Sequence, residues 1–316
     1  MIKNKVSLKA KESNNYWITF FTPTFQRAST LHRVYDSLKN MKTQNGTGGD
    51  VSFEWLIVDD GSTDGTDKLV DKWCKENLIP IRYFWQENQG KHVATNFAVQ
   101  HSNSFAFGFI DSDDTLLPTA LTTIYQEWSK IENKEAFKGV NGRCIDPKTK
   151  KILGSPLPSS PFDVNEIDLR YKYNIKGEMW GFIRLDIMKQ YPFPTPDSRM
   201  RYCPEGIVWY EIAKKYKARV LDVPVRECFT DTANAITGKN HNRSIANYYG
   251  WRYGVNNFLP YIFYSPKKVI KNFVGLSMDG IRTGRSFGTI IGDAHSMIAK
   301  VITVVFFPIG WLLAKR

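Results

Sequence analysis

Three aspartates lie within four positions of one another in the segment FIDSDDTL (109–116), directly after an apolar run. Asp111, Asp113 and Asp114 would repel one another at neutral pH unless a turn, a helix N-terminus or a cation compensated their charge. Carboxylate oxygens are the ligands that Mg²⁺ and Mn²⁺ prefer in proteins. Taken alone, this segment therefore fits either a metal site or an acidic helix cap.

Two further polar segments also follow apolar runs. TPTFQR (22–27) ends the first run, and VDDGSTDGT (58–66) ends the second. The second segment is by itself an ordinary turn signal, because Asp, Gly and Ser favour turns. Three such segments in order indicate one ligand site, since ligands bind at the carboxyl ends of strands in open α/β sheets. We expect right-handed crossovers to make the strands before Asp60 and Asp111 neighbours.

Alternating strand and helix patterns position these segments. Apolar runs predict strands over 16–25, 53–61, 81–87 and 105–111. Helical periodicity predicts helices over 29–41, 66–77, 91–102 and 117–131. This βαβ pattern predicts an α/β fold with a Rossmann-like, mostly parallel central sheet flanked by helices. The pattern weakens after residue 150, where GSPLPSSP (154–161) indicates a loop.

The composition indicates a folded protein of a reducing compartment. Of the 316 residues, 42% are hydrophobic and 14% aromatic, which is ample for a buried core. The four cysteines are far apart in sequence and form no CxxC pair, so we expect neither a zinc site nor a disulfide framework. The lysine-bearing N-terminus lacks an apolar h-region, so a secretory signal is not expected.

The C-terminal segment is both basic and apolar. The last fifty residues carry half of the net charge of +12, and VITVVFFPIGWLLA (301–314) is almost wholly apolar. At 14 residues with Pro308 inside, this run is shorter than the roughly 18–20 residues that span a bilayer. It predicts an interfacial membrane anchor with basic flanks. The alternative is a buried C-terminal helix. We expect no nucleic-acid binding, because no recognition module accompanies the charge.

Four motifs resemble the donor-binding half of family 2 glycosyltransferases of the GT-A fold: TPTFQR, VDDGSTDGT, ENQGKHVATNFAV (87–99) and FIDSDDTLLP (109–118). A weaker match, RYCPEGIVWYEIAKKYKARVLDVPV (201–225), resembles the acceptor side of the same family. The resemblance implies a catalytic domain over 1–235, divided into a nucleotide-sugar half (17–130) and an acceptor half (131–235). Residues 236–316 would then form a helical, membrane-associating extension.

The resemblance also implies roles on the donor side. Backbone groups around Thr22, Pro23, Thr24 and Phe25 would line the base pocket. Asp59 would support its turn while Asp60 accepts a hydrogen bond from the base, UDP being favoured. A divalent Mn²⁺ or Mg²⁺ would neutralise the diphosphate. The remaining donor-side residues have the following expected roles: Asp113 and Asp114 as metal ligands, Asp111 and Ser112 toward the ribose or sugar, Lys91 toward phosphate, and His92 toward the ligand or the helix cap.

On the acceptor side, the resemblance makes Glu205 the general base of an inverting transfer. Gly206 stands where the family often has a second acid. The alternative is that Glu205 only occupies the favoured acidic position at the start of a helix over 205–216. Four weaker candidates are Glu178 and Asp197 as reserve acids, and Trp180 and Trp209 as sugar-stacking or core aromatics. His241 is not expected to bind metal.

These features together predict a metal-assisted inverting glycosyltransferase. It would transfer a sugar from a nucleotide-diphosphate sugar to a glycan or lipid-linked saccharide in surface polysaccharide biosynthesis. We expect a cytoplasmic enzyme bound peripherally to the inner face of the membrane. Two alternatives stay open: a metal-dependent nucleotidyltransferase, although the first loop lacks its Gly-rich basic pattern, and a non-catalytic membrane-associated protein that binds sugar nucleotides or glycans.

Overall fold

The computed structural model describes residues 3–12, 15–46, 48–197, 200–229 and 243–315. His241 and the predicted domain boundary between residues 235 and 236 lie outside the described residues. The strands are β1 (Lys3–Val6), β2 (Ile18–Thr24), β3 (Phe53–Asp59), β4 (Ile81–Trp85), β5 (Ala106–Phe109), β6 (Thr115–Leu116), β7 (Phe137–Ile145), β8 (Phe162–Val164), β9 (Met179–Gly181), β10 (Ile183–Arg184) and β11 (Lys217–Glu227).

The helices alternate with the strands in the first half of the chain and dominate its end. They are α1 (Leu8–Glu12), α2 (His32–Lys39), α3 (Thr66–Glu76), α4 (Lys91–Gln100), α5 (Ala120–Ser129), α6 (Leu185–Gln190), α7 (Gly206–Ala213), α8 (Ser244–Asn257), α9 (Pro266–Arg282), α10 (Phe287–Gly292) and α11 (Met297–Ala314). Three short helical turns cover Lys134–Ala136, Asp168–Lys172 and Leu259–Tyr261.

The first sheet has six strands in the order β1-β4-β3-β2-β5-β10. Its central strands β4, β3, β2 and β5 are parallel, which confirms the predicted α/β class. β2 and β3 are buried along their whole length, because helices cover both faces of a parallel sheet. The predicted adjacency of β3 and β5 is wrong, since β2 lies between them. The chain builds outward from β2 to β4 and then returns to the other side of β2 with β5.

The second sheet has the order β6-β11-β7-β9, with β8 also paired to β11. β7 and β11 run parallel, while β6 pairs antiparallel with the end of β11 through Arg226↔Leu116 and Glu227↔Thr115. The segment between β5 and β6 therefore passes from the first sheet to the second. That segment contains the three aspartates, so the topology places them beside the end of β11.

The C-terminal helices pack on one another and on the preceding part of the chain. A hydrophobic cluster joins α8, α9, α10 and α11 to Ile167, Tyr171 and Ala213. α11 approaches α9 closely at Gly310, where an added Cβ would lie 2.5 Å from the Ser277 Cβ atom. The helical extension is thus continuous in packing with the preceding α/β part.

Helix α11 is longer than the apolar run predicts. It begins at Met297 and continues through Pro308 to Ala314, which gives 18 residues. Pro308 has no N–H and so removes one hydrogen bond from the helix, but the helix continues on both sides of it. By length and composition this helix could cross a membrane, and 17% of it is buried. The expectation that the segment is too short to span is therefore wrong on length.

Candidate active site

The polar segments meet where β2 and β5 diverge at the carboxyl edge of the first sheet. β2 pairs with β3 as far as Thr24↔Asp59, but with β5 only as far as Phe21↔Phe109. Beyond that point β2 and β5 are no longer paired, and we call the region at their carboxyl ends the cleft. Ligands usually bind at such a position in open α/β sheets. The order of the strands thus explains why three separate segments contribute to one site.

Asp59 and Asp60 shape one wall of this cleft from inside the protein. Asp59 is fully buried and accepts hydrogen bonds from the Ser62 N–H at 2.8 Å and the Tyr83 hydroxyl at 2.7 Å. Burial raises the pKa of Asp59, although these hydrogen bonds oppose the shift. These contacts agree with the predicted turn-supporting role of Asp59.

Asp60 holds the loop that leads into α4. Its carboxylate accepts bonds from the Gln86 side chain at 2.8 Å, the Gln89 N–H at 2.9 Å and the Gly90 N–H at 2.7 Å. Gly90 has φ +99°, and an added Cβ would lie 2.5 Å from the Arg201 carbonyl oxygen, so this position requires glycine. Asp60 therefore fixes where α4 begins, and its contact with a nucleotide base stays a prediction.

Lys91, the first residue of α4, joins the donor and acceptor sides of the cleft. Its Nζ atom lies 2.7 Å from Asp111 Oδ1 and 2.8 Å from Glu205 Oε1. Burial opposes the charge on Lys91, but the two carboxylates outweigh it and raise the Lys91 pKa. The Lys91 ammonium in turn lowers the pKa of Asp111 to about 2, with help from Arg226. The structure thus brings the candidate base to the aspartate segment.

Replacing Lys91 with Met should move the acid limb of the kcat/KM profile to higher pH. Without the ammonium, the pKa of Asp111 rises from about 2 by roughly one unit or more. Because the pKa of Asp111 is depressed in the folded wild type, the stability that the Asp111 carboxylate contributes is fully present above the ordinary pKa of an aspartate. This stability is lost as the pH falls toward 2. The measurement is turnover as a function of pH. Lys72→Met, on the exposed face of α3, is the control, and superimposable profiles for the wild type and both variants would contradict the assignment.

The two predicted metal ligands occupy different environments. Asp114 is 5% exposed, accepts the Phe229 N–H at 2.9 Å and lies 3.5 Å from the Arg226 Nε atom. Burial raises the pKa of Asp114 to about 7, although Arg226 opposes the shift. The Asp113 side chain is half-exposed at the cleft and has no hydrogen-bond or ion-pair partner among the described residues. This placement favours Asp113 over Asp114 as the metal ligand. Ser112, which precedes Asp113, is buried.

The donor set at this position fits a hard divalent cation. Asp113 offers carboxylate oxygens, and Mg²⁺ and Mn²⁺ typically take one or two carboxylates together with waters and phosphate oxygens. Its backbone is held from the other side, because the Arg33 guanidinium donates to the Asp113 carbonyl oxygen at 3.3 Å. The same guanidinium stacks on the Phe229 ring at 4.3 Å. The hydrogen bond from Arg33 would therefore fix the backbone of Asp113 while its side chain binds the ion.

The predicted base pocket is only partly exposed to the cleft. Thr22 is fully buried, and its hydroxyl accepts a hydrogen bond from the Trp55 indole at 2.9 Å. Thr24 is also buried, and its hydroxyl has no hydrogen-bond partner within the described residues. Pro23 is buried between them, while Phe25 is 47% exposed just beyond the end of β2. The Thr22 side chain thus belongs to the core, and Phe25 is the side chain available at the pocket surface.

The predicted acceptor-side residues differ in their exposure. Trp180 is 3% exposed and donates its indole N–H to the Phe109 carbonyl, which fits the core alternative and not the stacking one. Trp180 lies on β9, beside β7 in the second sheet, and belongs to a hydrophobic core cluster that also includes residues of the first sheet. Trp209 is half-buried and packs edge-on against Phe109 at 5.4 Å. Glu178 is exposed at the cleft, where it pairs with Arg226.

His92 is buried within α4. His92 is 3% exposed, its Nδ1 atom has no hydrogen-bond partner within the described part of the chain, and burial lowers its pKa. A neutral His92 on the buried side of α4 therefore fits the structure. Asp197, the other reserve acid, accepts the Met200 N–H at its backbone carbonyl oxygen at 3.0 Å.

The sequence motifs did not identify Arg226 or the residues around it. Arg226 lies in β11 within VPVRECF (223–229), where strand alternation places it on the same face as Cys228. Cys144, Cys228 and Glu178 each bring one potential ligand atom within 4.8 Å of the others. A hydrogen bond from Cys228 lowers the pKa of Cys144. The sequence spacing of the cysteines therefore concealed a close pair, although all four are free thiols.

A family model described as "Glycosyl transferase family 2" matches residues 19–182. A GalNAc(5)-diNAcBac-PP-undecaprenol beta-1,3-glucosyltransferase of Campylobacter jejuni is 24% identical over 63% of this chain and 60% of that protein. A teichoic acid poly(glycerol phosphate) polymerase of Staphylococcus epidermidis is 33% identical over 36% of this chain and 15% of that protein. The chain thus spans less than two thirds of the length of these relatives.

Solved structures share the fold at low sequence identity. The crystal structure of S. aureus TarS 1-349 in complex with UDP-GlcNAc has a TM-score of 0.57 and 15% identity, covering 94% of this chain and 90% of that one. The mannosyltransferase PcManGT from Pyrobaculum calidifontis, in complex with GDP-Man and Mn²⁺, has a TM-score of 0.51 and 14% identity, covering 95% and 87%. These similarities establish the GT-A type of fold.

Proposed function

This chain belongs to glycosyl transferase family 2, and from that premise we propose that it moves a sugar from a nucleotide-diphosphate sugar to a hydroxyl of a glycan or lipid-linked saccharide. The observation that carries the proposal is the contact of Lys91 with both Asp111 and Glu205. Through Lys91, the candidate base Glu205 lies in the same cleft as the aspartates that follow β5. A donor held by those aspartates would therefore have its reacting carbon near Glu205.

The proposed chemistry is a single displacement with inversion at the anomeric carbon. The acceptor oxygen bonds to C1 as the C1–O bond to the diphosphate breaks, and Glu205 takes the proton of the acceptor hydroxyl. The nucleoside diphosphate leaves with the bonding electrons. Glu205 is suited to this because its side chain is 37% exposed, at the start of α7, and faces the cleft.

The donor side would stabilise the departing diphosphate. A Mn²⁺ or Mg²⁺ ion held by Asp113 supplies charge neutralisation for the leaving group when bound. Lys91 would add a positive charge beside the diphosphate, and its position at the N-terminus of α4 adds the positive end of that helix. Asp111 and Lys91 would orient the donor because each is fixed by the other. Phe25, exposed at the end of β2, would flank the base.

UDP is the nucleotide that we propose, and a lipid-linked saccharide is the acceptor. The first is supported by the structure of TarS, which holds UDP-GlcNAc. The Campylobacter relative supports the second because its name gives an undecaprenol-linked glycan as its acceptor. The basic and apolar C-terminus of this chain is consistent with such an acceptor.

A panel of sugar nucleotides with Mn²⁺ or Mg²⁺ tests the proposal. We expect one donor to raise the thermal unfolding temperature in a metal-dependent way and to release its nucleoside diphosphate slowly by hydrolysis. Stabilisation by a free nucleoside triphosphate together with release of pyrophosphate would instead identify a nucleotidyltransferase. Donor binding with no turnover on any acceptor would identify a non-catalytic binding protein.

Helix α11 supports the proposed contact with the inner face of a membrane. Its buried side packs on α9 through Ala299, Thr303 and Gly310. Its opposite side is exposed and wholly apolar along the helix: Met297, Ile298, Val301, Val304, Val305, Pro308, Ile309 and Leu312. Because one side is already occupied by protein, we propose that α11 lies in the membrane interface, with Lys300 and Lys315 near lipid phosphates.

Replacing Val301 and Val305 together with Asp should release the protein from vesicles. Each exposed valine that enters the interface contributes about 1.5 kcal/mol, or roughly a tenfold change in affinity. We expect co-sedimentation with vesicles of anionic phospholipid to weaken by about 100-fold. The control is the double variant Leu78→Asp, Val223→Asp, which changes two exposed apolar residues elsewhere. Equal binding by both double variants would contradict the proposal, and a concentration-dependent dimer lost only in the first would identify a second copy as the partner.

A further inference from the structure

Arg226 contacts carboxylates on both sides of the cleft. Its Nη2 atom lies 2.5 Å from Glu178 Oε2, its Nη1 atom 3.6 Å from Asp111 Oδ2, and its Nε atom 3.5 Å from Asp114 Oδ2. Asp111 and Asp114 follow the donor-side strand β5, whereas Glu178 precedes the acceptor-side strand β9. One planar guanidinium therefore bridges the two halves of the site, which a lysine ammonium cannot do with the same geometry.

The exposure of two of the three contacted carboxylates distinguishes this arrangement from a buried structural ion pair. The Arg226 and Asp114 side chains are each 7% exposed, but those of Glu178 and Asp111 are 70% and 40% exposed. Arg226 thus reaches from the interior to carboxylates at the cleft surface. An exposed carboxylate otherwise samples several rotamers, so a buried cation that restrains it fixes its position before substrate arrives.

The strand β11 explains how Arg226 reaches this position. Arg226 pairs with Leu116 in β6 and with Cys144 in β7. Three residues later, the Phe229 N–H donates to Asp114 at 2.9 Å. The end of β11 therefore contacts the aspartate segment at two points, through the Arg226 guanidinium and through the Phe229 N–H. Replacing Arg226 would therefore remove a contact from each of three carboxylates, those of Asp111, Asp114 and Glu178.

We propose that Arg226 is a positioning residue that sets the donor-side aspartates relative to the acceptor-side Glu178. Arg226 acts through these carboxylates and not through direct contact with the reacting atoms. Its loss should misalign donor and acceptor while each still binds. This inference rests on the proposed glycosyl transfer, because that reaction needs the two sides in register.

Arg226→Met and Arg226→Lys, compared with Arg219→Met, test the proposal in the full chain. Arg219 is the control because it lies on the same strand and pairs with Asp163 at 2.8 Å, away from the cleft. We expect Arg226→Met to lower kcat by about 100-fold with a donor KM within about threefold of wild type. Arg226→Lys should recover part of the loss, and Arg219→Met should match wild type.

A double-mutant cycle with Glu178→Gln separates positioning from simple destabilisation. If Arg226 acts through Glu178, the double variant should be no slower than Arg226→Met alone. Equal kcat for Arg226→Met and wild type would overturn the inference. A loss of kcat that is fully explained by a lower unfolding temperature of the variant would also overturn it. A wild type that transfers no sugar from any donor would instead overturn the proposed function, so the two failures are distinguishable.

Discussion

Replacing Glu205 with Gln should lower kcat by on the order of 1,000-fold, because the amide cannot accept the proton of the acceptor hydroxyl. The shape of the side chain is kept, and Lys91 can still donate to the amide oxygen in place of the carboxylate. Donor affinity should therefore change little. The measurement is steady-state turnover with saturating donor and acceptor, together with donor binding by calorimetry.

Glu211→Gln is the matched control for this variant. Glu211 lies on the same helix α7, is exposed and pairs with Lys214 at 2.6 Å. The same chemical change there should leave kcat within about twofold, as expected for a surface substitution. A Glu205→Gln variant that kept turnover near wild type would show that Glu205 is only the acid at the start of a helix.

Replacing Asp113 with Asn should remove most of the metal-dependent turnover. The neutral amide is a weaker ligand for a hard cation, so the leaving diphosphate loses its counter-charge. We expect a loss of about 100- to 1,000-fold in kcat/KM, which is typical of a removed electrostatic stabiliser. Titration of activity against Mn²⁺ should show that a higher metal concentration is needed for half-maximal rate.

Asp114→Asn and Asp71→Asn complete the comparison for the metal site. Asp71 is exposed on α3 and pairs with Lys75 at 2.8 Å, so its variant should behave as wild type. Asp114 is held by Phe229 and Arg226, and its variant should lose activity without the same change in metal requirement. If Asp114→Asn shifted the Mn²⁺ requirement and Asp113→Asn did not, the assignment of the ligand would be reversed.

The first sheet was predictable from sequence because its strands are unbroken apolar runs. β2 and β3 are buried along their length, and such runs with helical segments between them have few other interpretations. The order of the strands was not predictable to the same degree. Asp60 and Asp111 were expected on neighbouring strands, but the return of the chain past β2 separates them and opens the cleft instead.

The parts of the site that the sequence did not reveal depend on contacts between distant segments. Nothing in the local sequence of Arg226 distinguishes it from a surface arginine on a strand, and only the pairing of β11 with β6 and β7 brings it to Asp114. Trp180 likewise had the right type for sugar stacking, but the packing of the sheets buries it. Motifs thus identified residue types, whereas tertiary packing decided which of them face the cleft.

The C-terminal helix illustrates the opposite case, in which a local rule misjudged an element. The 14-residue apolar run with Pro308 inside was expected to be too short to span a bilayer, yet α11 continues through Pro308 over 18 residues and packs on α9 at Gly310. The apolar composition was predictable, and so were the basic flanks. The division of α11 into a packed side and an exposed side required the structure.

The proposed mechanism is tested most directly by the product of a reaction with Mn²⁺, a lipid-linked saccharide acceptor and the donor that stabilises the protein in the sugar-nucleotide panel. NMR of the product gives the anomeric configuration of the new linkage, and chromatography identifies the released nucleotide. We predict acceptor-dependent release of nucleoside diphosphate and a linkage of inverted configuration, both lost with Glu205→Gln. A retained configuration, or pyrophosphate as the released product, would contradict it.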